Sequence, residues 1–175
     1  MQNVIIMRHG LAENDHVDGD FFRCLTTSGK IGVKKIAKQI NQYCIDNNLS
    51  LSRITHSPFE RTTKTASIVY DCFVKSDNVN NFKHAEISVE KEEKLVPSAN
   101  ISSLIKSWRE TSASEASVLV THQPFVSQLI SELVNGDVSH AGQYPMHPSD
   151  AVFLSGDFFS SGLMSLQAKF SVLPQ

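Results

Sequence analysis

The stretch Val4-Ile5-Ile6-Met7-Arg8-His9-Gly10 decides the fold: four apolar residues in succession give way, with no turn between, to a cation, an imidazole and a glycine. A short apolar run without alternation is what a strand buried on both faces of a parallel sheet requires. Arg8 and His9 then stand at the strand's carboxyl end, the edge beyond which open α/β sheets bind their ligands.

From there the chain alternates between helical and extended patterns. Thr26 or Thr27 can cap a helix in which Val33, Ile36, Ala37, Ile40 and Cys44 recur at three- and four-residue steps, an apolar stripe to lay on the sheet. Ile54-Thr55-His56 reads as a second strand. Ser57-Pro58 reads as a cap followed by proline at the first helical position, opening a helix toward Phe73 with Arg61 in its first turn. Ala85 to Glu90 is a third strand, and Ile101, Leu104, Ile105 and Trp108 form a helical stripe expected to pack in the core. Val118-Leu119-Val120 is another buried strand running into Thr121-His122-Gln123-Pro124, where Pro124 can open a helix bearing Val126, Leu129, Ile130 and Leu133. Ala151 to Leu154 and Leu163 to Phe170, separated by Gly156-Asp157 and Gly162, read as a closing hairpin. The polar stretch Lys75 to Lys83 is too short and too central to divide the chain. Residues 1–175 are therefore expected to form one α/β domain, a three-layer α/β/α sandwich around a mostly parallel sheet.

Composition narrows the function. A chain of 175 residues folds to roughly 8,500 Å² of surface and buries about 70% of what it exposes unfolded, enough to be stable without disulfides or a structural metal. Sixteen Lys and Arg against eighteen Asp and Glu give a net charge of -2, without the cationic excess of a general nucleic-acid binder. No apolar stretch approaches the roughly 18 residues of a membrane span. Cys24, Cys44 and Cys72 are odd in number and widely spaced, so they read as reduced thiols, and the expected compartment is the cytoplasm.

Three strand ends carry the chemistry: Arg8-His9 at the first, Arg61 beyond the second, and His122 at the fourth, with Arg23 in the loop before the first helix able to close over the same point. Two histidines among three arginines make a poor metal site, because cations repel the ion, but they suit a phosphoryl group with charge on its oxygens. No metal and no cofactor is expected, and the ligand is expected to be phosphate. His56, also at a strand end, is expected to point into the loop. Ser57, Thr62 and Thr121 read as caps or supporting hydrogen bonders, Ser57 being able to touch phosphate. Ser149-Asp150 is a candidate to orient His122. Lys34-Lys35 and Lys38 read as a solvated helix face.

The segments Met7-Arg8-His9-Gly10, Arg23-Cys24-Leu25-Thr26, Ser57-Pro58-Phe59-x-Arg61-x-x-x-Thr65 and Thr121-His122-Gln123-Pro124, in that order, resemble the histidine phosphatase superfamily, and most of all its short bacterial branch of phosphohistidine phosphatases. The resemblance covers essentially the whole chain and implies a phosphoglycerate mutase-like fold. It implies His9 as a nucleophile that takes the phosphoryl group, with His122, Arg8, Arg61 and Arg23 holding its oxygens and Ser57 and Gln123 beside them as substrate contacts. The neighbouring cations should disfavour protonation of His9 and leave it a lone pair.

Two departures bear on substrate. Where short members of the family commonly have Arg-Pro-Leu-Thr, this chain has Cys24, losing the stiffness of proline, so Arg23 is expected to be less firmly placed. A mutase-like enzyme needs a carboxylic acid to protonate an alkoxide leaving group, and here Glu13, Glu92 and Glu93 are the candidates, none singled out. The short loops between motifs leave little for a lid. The expected substrate is accordingly a phosphohistidine on a histidine-containing phosphotransfer protein, the enzyme acting as a monomer. A phosphomonoesterase for a small metabolite and a non-catalytic phosphate-binding module are the alternatives.

Overall fold

A computed structural model describes residues 1–80 and 86–172. Part of the stretch 75–83, with His84 and Ala85, lies outside them. Six strands form one sheet in the order β3-β2-β4-β1-β5-β6: β1 (Gln2–Arg8), β2 (Ser50–His56), β3 (Ser88–Lys91), β4 (Glu115–Thr121), β5 (Ala151–Gly156) and β6 (Met164–Phe170). β1 to β4 run parallel, and the hairpin β5-β6 adds the antiparallel edge.

Helices α1 (Thr27–Asp46) and α2 (Glu60–Asn80) cover one face, and α3 (Ile101–Lys106) and α4 (Phe125–Asn135) the other. Successive residues of β1 point to opposite sides, so Ile5 and Met7 join the core under α1 and α2 while Val4 and Ile6 join the one under α4. The α1 stripe is buried as its spacing requires, Val33, Ile36, Ala37, Ile40 and Cys44 each being fully covered. Thr26 is the cap of α1, its hydroxyl accepting the Gly29 N–H at 3.0 Å. This is the single α/β domain expected, with an accessible surface of 8442 Å².

Several elements differ from the sequence reading. Ser57-Pro58 does not cap α2: that helix starts at Glu60, and the Thr62 hydroxyl, 2.7 Å from the carbonyls of both Ser57 and Phe59, ties the turn before it. Periodicity could not reveal this because the tie comes from a side chain inside the helix. β3 falls at Ser88–Lys91, later than expected, and is largely exposed at the sheet edge. α3 stops at Lys106, so Trp108 leaves the helix and stacks on Phe159, ring centroids 4.1 Å apart.

The loop after β1 is pressed against the start of α1. A Cβ built on Gly29 would lie 2.0 Å from the Leu11 carbonyl oxygen, and one on Gly10 would lie 2.6 Å from Val33 Cγ2. Only glycine permits this approach, which fixes where the chain leaves Arg8 and His9. Gly29→Ala is expected to cost about 2–3 kcal/mol by forcing backbone apart, lowering the melting temperature by roughly 5–10 °C in a chain of this size. An unchanged melting curve would show that the loop yields freely.

Candidate active site

Three parallel strands end side by side. In register, Arg8 pairs with Thr121 across β1 and β4, and His56 with Val120 across β2 and β4. The ladder runs one residue further on both sides of β4, the His9 N–H donating to the Thr121 carbonyl at 3.0 Å and the Ser57 N–H to the Val120 carbonyl at 3.1 Å. His9, Ser57 and His122 therefore leave neighbouring strand ends at one level. The two imidazoles meet edge to face with centroids 5.2 Å apart, and His122 Nε2 lies 2.8 Å from Ser57 Oγ.

The hydrogen bonding of His9 sets its chemistry. Its Nδ1 is 2.7 Å from the Gly10 carbonyl, which can only accept, so Nδ1 carries the proton and Nε2 keeps its lone pair. Burial pulls its pKa down to about 4; the bond to Gly10 opposes this, and Arg61, Arg8 and Arg23 push the same way as burial. His122 is held down to about 3, first by burial and then by His9 and Arg61. Both rings are neutral at pH 7.

Around them stand the three arginines. Arg8 donates through Nη1 to the Met146 carbonyl at 2.8 Å and has Asp150 nearby. Arg61, 4% exposed, donates to the Asp20 carbonyl at 2.6 Å and to Asp20 Oδ2 at 2.9 Å, with its guanidinium 4.7 Å over the Phe59 ring. Arg23 donates to the Glu13 carbonyl at 2.5 Å and to Asp20 Oδ1 at 2.7 Å. Among the described residues, five buried side-chain polar atoms have no hydrogen-bond partner, and Arg8 Nε, Arg61 Nε and His122 Nδ1 are three of them. A buried donor without an acceptor costs on the order of 1–3 kcal/mol, and the described residues supply no acceptor to these donors.

His9, His122, Arg8, Arg61, Arg23 and Ser57 are thus brought together. Gln123 is next to His122 in the chain but exposed, its side-chain amide bonded to the Ser127 hydroxyl at 2.9 Å. His56 donates from Nδ1 to the Ser57 carbonyl at 2.8 Å, within the loop as expected. Ser149-Asp150 braces a different residue from the one expected: Ser149 N–H donates to the His9 carbonyl and Arg8 N–H to the Asp150 carbonyl, so the pair secures Arg8-His9 rather than orienting His122. Arg23 is not loosened by Cys24, since Glu13 and Asp20 fix it from two sides. The Glu13 carboxylate is taken up by the Cys24 N–H at 3.2 Å and that of Glu92 by the Lys94 N–H at 3.0 Å, while Glu93 is exposed on a 3-10 turn.

Sequence reasoning missed Asp20 and Phe21 and gave no role to Phe59 and Thr65. Asp20 is the carboxylate that joins Arg23 to Arg61; burial would raise its pKa, but the bonds from those arginines outweigh that and hold it below the usual carboxylate range. It stands in a 3-10 turn, Asp20–Phe22, whose Phe21 packs on Phe59 at 5.0 Å, so the rim is covered on this side despite the short loops. Phe59 in turn packs on His122 at 4.8 Å. Thr65 accepts the Gly10 N–H at 3.1 Å and donates to the Arg61 carbonyl at 2.7 Å, coupling the end of β1 to the first turn of α2.

No family model matches the chain, and no curated protein matches it by sequence. Solved structures do match, and they show the fold: it is that of phosphoglycerate mutase. A phosphoglycerate mutase from Plasmodium falciparum superposes over 99% of this chain and 94% of its own at 17% identity, with a TM-score of 0.67. More particularly, the protein histidine phosphatase SixA complexed with tungstate superposes over 97% of each chain at 24% identity, with a TM-score of 0.70. A structure from Agrobacterium tumefaciens assigned to SixA does so over 97% of each at 18% identity and 0.69.

The buried neutral histidines have a measurable consequence. The unfolded chain protonates each near pH 6.5, the folded chain only near 4 for His9 and 3 for His122, so acidification favours the unfolded state. Stability should be intact above pH 6.5 and fall as pH drops toward 4, by on the order of 2 kcal/mol from each ring at pH 4.5. Histidine NMR titration should find both rings neutral at pH 5.5; a midpoint near 6.5 for His9 would refute the environment described.

Proposed function

We propose that this chain is a phosphatase of the histidine phosphatase type, working through a phosphohistidine on His9 and without a metal ion. The observation that carries the reading is the pairing of a neutral imidazole whose Nε2 lone pair is free with two arginines whose buried Nε donors lack acceptors. His9 Nε2 attacks phosphorus in line while the bond to the leaving group breaks. Water then attacks the phosphorus, the P–Nε2 bond breaks with its electron pair returning to His9, and inorganic phosphate leaves carrying the water's oxygen. Arg8, Arg61 and Arg23 neutralise the phosphoryl oxygens. With the Ser57 hydroxyl donating to Nε2 of His122, its Nδ1–H is left for a further oxygen.

The substrate we infer is a phosphohistidine on a phosphotransfer protein, as the likeness to SixA suggests. The carboxylates of Glu13 and Glu92 are occupied by backbone N–H groups, and Asp20 is held ionised by two arginines, so none is a ready proton donor. An imidazole leaves more easily than an alkoxide and needs no strong acid. A small phosphomonoester is the second reading, favoured by the likeness in fold to the Plasmodium mutase and to a mycobacterial glucosyl-3-phosphoglycerate phosphatase.

The test is phosphate release from a phosphohistidine-bearing protein and from an aryl phosphate, with wild type, His9→Ala and added chelator. Strong preference for phosphohistidine, loss of at least a thousandfold in His9→Ala, and indifference to chelator are expected. Turnover within tenfold of wild type in His9→Ala would remove the nucleophile assignment, and equal aryl phosphate turnover would favour the metabolite reading. Asp20→Asn removes one negative charge beside the anion site, worth on the order of 1 kcal/mol. Tungstate should then bind about fivefold tighter by calorimetry; weaker binding would mean that ordering the arginines matters more than their charge.

A further inference from the structure

Beside the site, a groove runs between α1 and α2. One cavity of about 260 Å³ has Ile68 and Cys72 in it and Lys30, Lys34, Lys64 and Lys75 around it. A second, of about 230 Å³, shares Lys30 and Lys64 and continues to Cys24 and Glu60, the chain neighbours of Arg23 and Arg61. The basic groove therefore ends at residues that adjoin Arg23 and Arg61 in the chain.

Its charge is mostly positive. Lys30, Lys34 and Lys38 follow one another a turn apart along α1, about 12 Å of helix, and Lys64 and Lys75 border the other side over about 16 Å of α2. Lys34, Lys38 and Lys75 all act on the Cys72 thiol in the groove, which burial nonetheless raises above its ordinary pKa. Two carboxylates, Asp71 and Glu60, also lie along the groove. Among the described residues none of the five lysines has a carboxylate within ion-pair distance. Like charges four residues apart on a helix cost a few tenths of a kcal/mol each, and Glu60 and Asp71, each four residues before a lysine of α2, offset only part of that. The chain as a whole is acidic, at -2, so the groove is a local inversion of its field.

We infer that this groove is the docking surface for an acidic face of the protein that carries the phosphohistidine. The inference rests on the proposed function and adds the partner's charge and the face it meets. An acidic face laid along these five lysines adds counter-charge beyond that of Asp71 and Glu60 and delivers a phosphorylated side chain at the Cys24–Glu60 end, next to Arg23 and Arg61 in the chain. Attraction between such faces raises the encounter rate and fades with salt. A free phosphorylated amino acid gains nothing from it.

The test compares kcat/KM for free phosphohistidine and for two proteins phosphorylated on histidine with phosphoramidate, one an acidic phosphotransfer domain and one a basic protein. The enzymes are wild type, Lys34→Glu/Lys64→Glu in the groove, and Lys35→Glu/Lys106→Glu, which changes net charge equally on exposed lysines outside it. The groove variant is expected to lose at least tenfold on the acidic carrier at low salt and less than twofold on free phosphohistidine. The control pair should lose less than threefold, and the groove effect should vanish at high salt. Equal losses in the two variants, no loss on the acidic carrier, a matching loss on free phosphohistidine, or wild-type preference for the basic carrier would each overturn the docking surface while leaving the proposed function standing. No release from any of the three substrates by wild type would overturn the proposed function itself, and the docking surface with it.

Discussion

The site depends on the level at which β4 ends between its two neighbours. Because the strands on both sides of it run parallel and in step, three carboxyl ends arrive together, and backbone bonds from His9 and Ser57 to β4 extend the sheet one residue past its regular part. Side chains from positions 9, 57 and 122 then need no loop to bring them into contact. A slip of one residue on either side would turn a histidine to the opposite face of the sheet. The two apolar cores resist such a slip, because every buried side chain of the strand would move with it.

On this frame the chain assembles cations that would be costly anywhere else. Arg61 is almost fully buried, and among the described residues Arg8 and Arg61 each leave a guanidinium donor without an acceptor. The neighbouring histidines answer by remaining neutral, which spares the site two further positive charges. Asp20 is the partial remedy: lying on an exposed turn, it reaches two arginines at once and lowers the net charge without closing the access to His9. Function and stability are opposed here, since the unpaired donors that a phosphoryl group would use are a standing cost in its absence.

Much of this arrangement was legible in the residue pattern, and what was not has physical reasons. The stripe on α1, the buried runs of β1 and β4, and the arginine and histidine positions follow from periodicity and from chemistry at strand ends. Asp20 was not legible because residues 13–23 have no periodicity, and an acidic residue in a polar loop looks like any solvated one until the loop is folded back. The offset Asp20-x-x-Arg23 was the available signal, being one turn of a 3-10 helix. Ser57 was read as a cap because serine before proline so often is; its true partner, His122, is 65 residues away. Ser149-Asp150 was likewise assigned to the wrong imidazole, since sequence order gives no hint of which strand end the final crossover meets. The expected weakness at Cys24 was absent because Arg23 is restrained through its side chain rather than its backbone.

Thr65 has a consequence for how the chain can vary in length. Its hydroxyl accepts from Gly10 and donates to Arg61, one helical turn earlier, so the separation of positions 61 and 65 is tied to the end of β1. Removing or inserting a single residue between them would rotate Thr65 by about 100° around α2 and detach Gly10 from the helix. Changes of length are therefore forbidden in this one turn, while the loop over Asp15 to Gly19, whose side chains are mostly exposed, can lengthen or shorten so long as Asp20 still reaches both arginines.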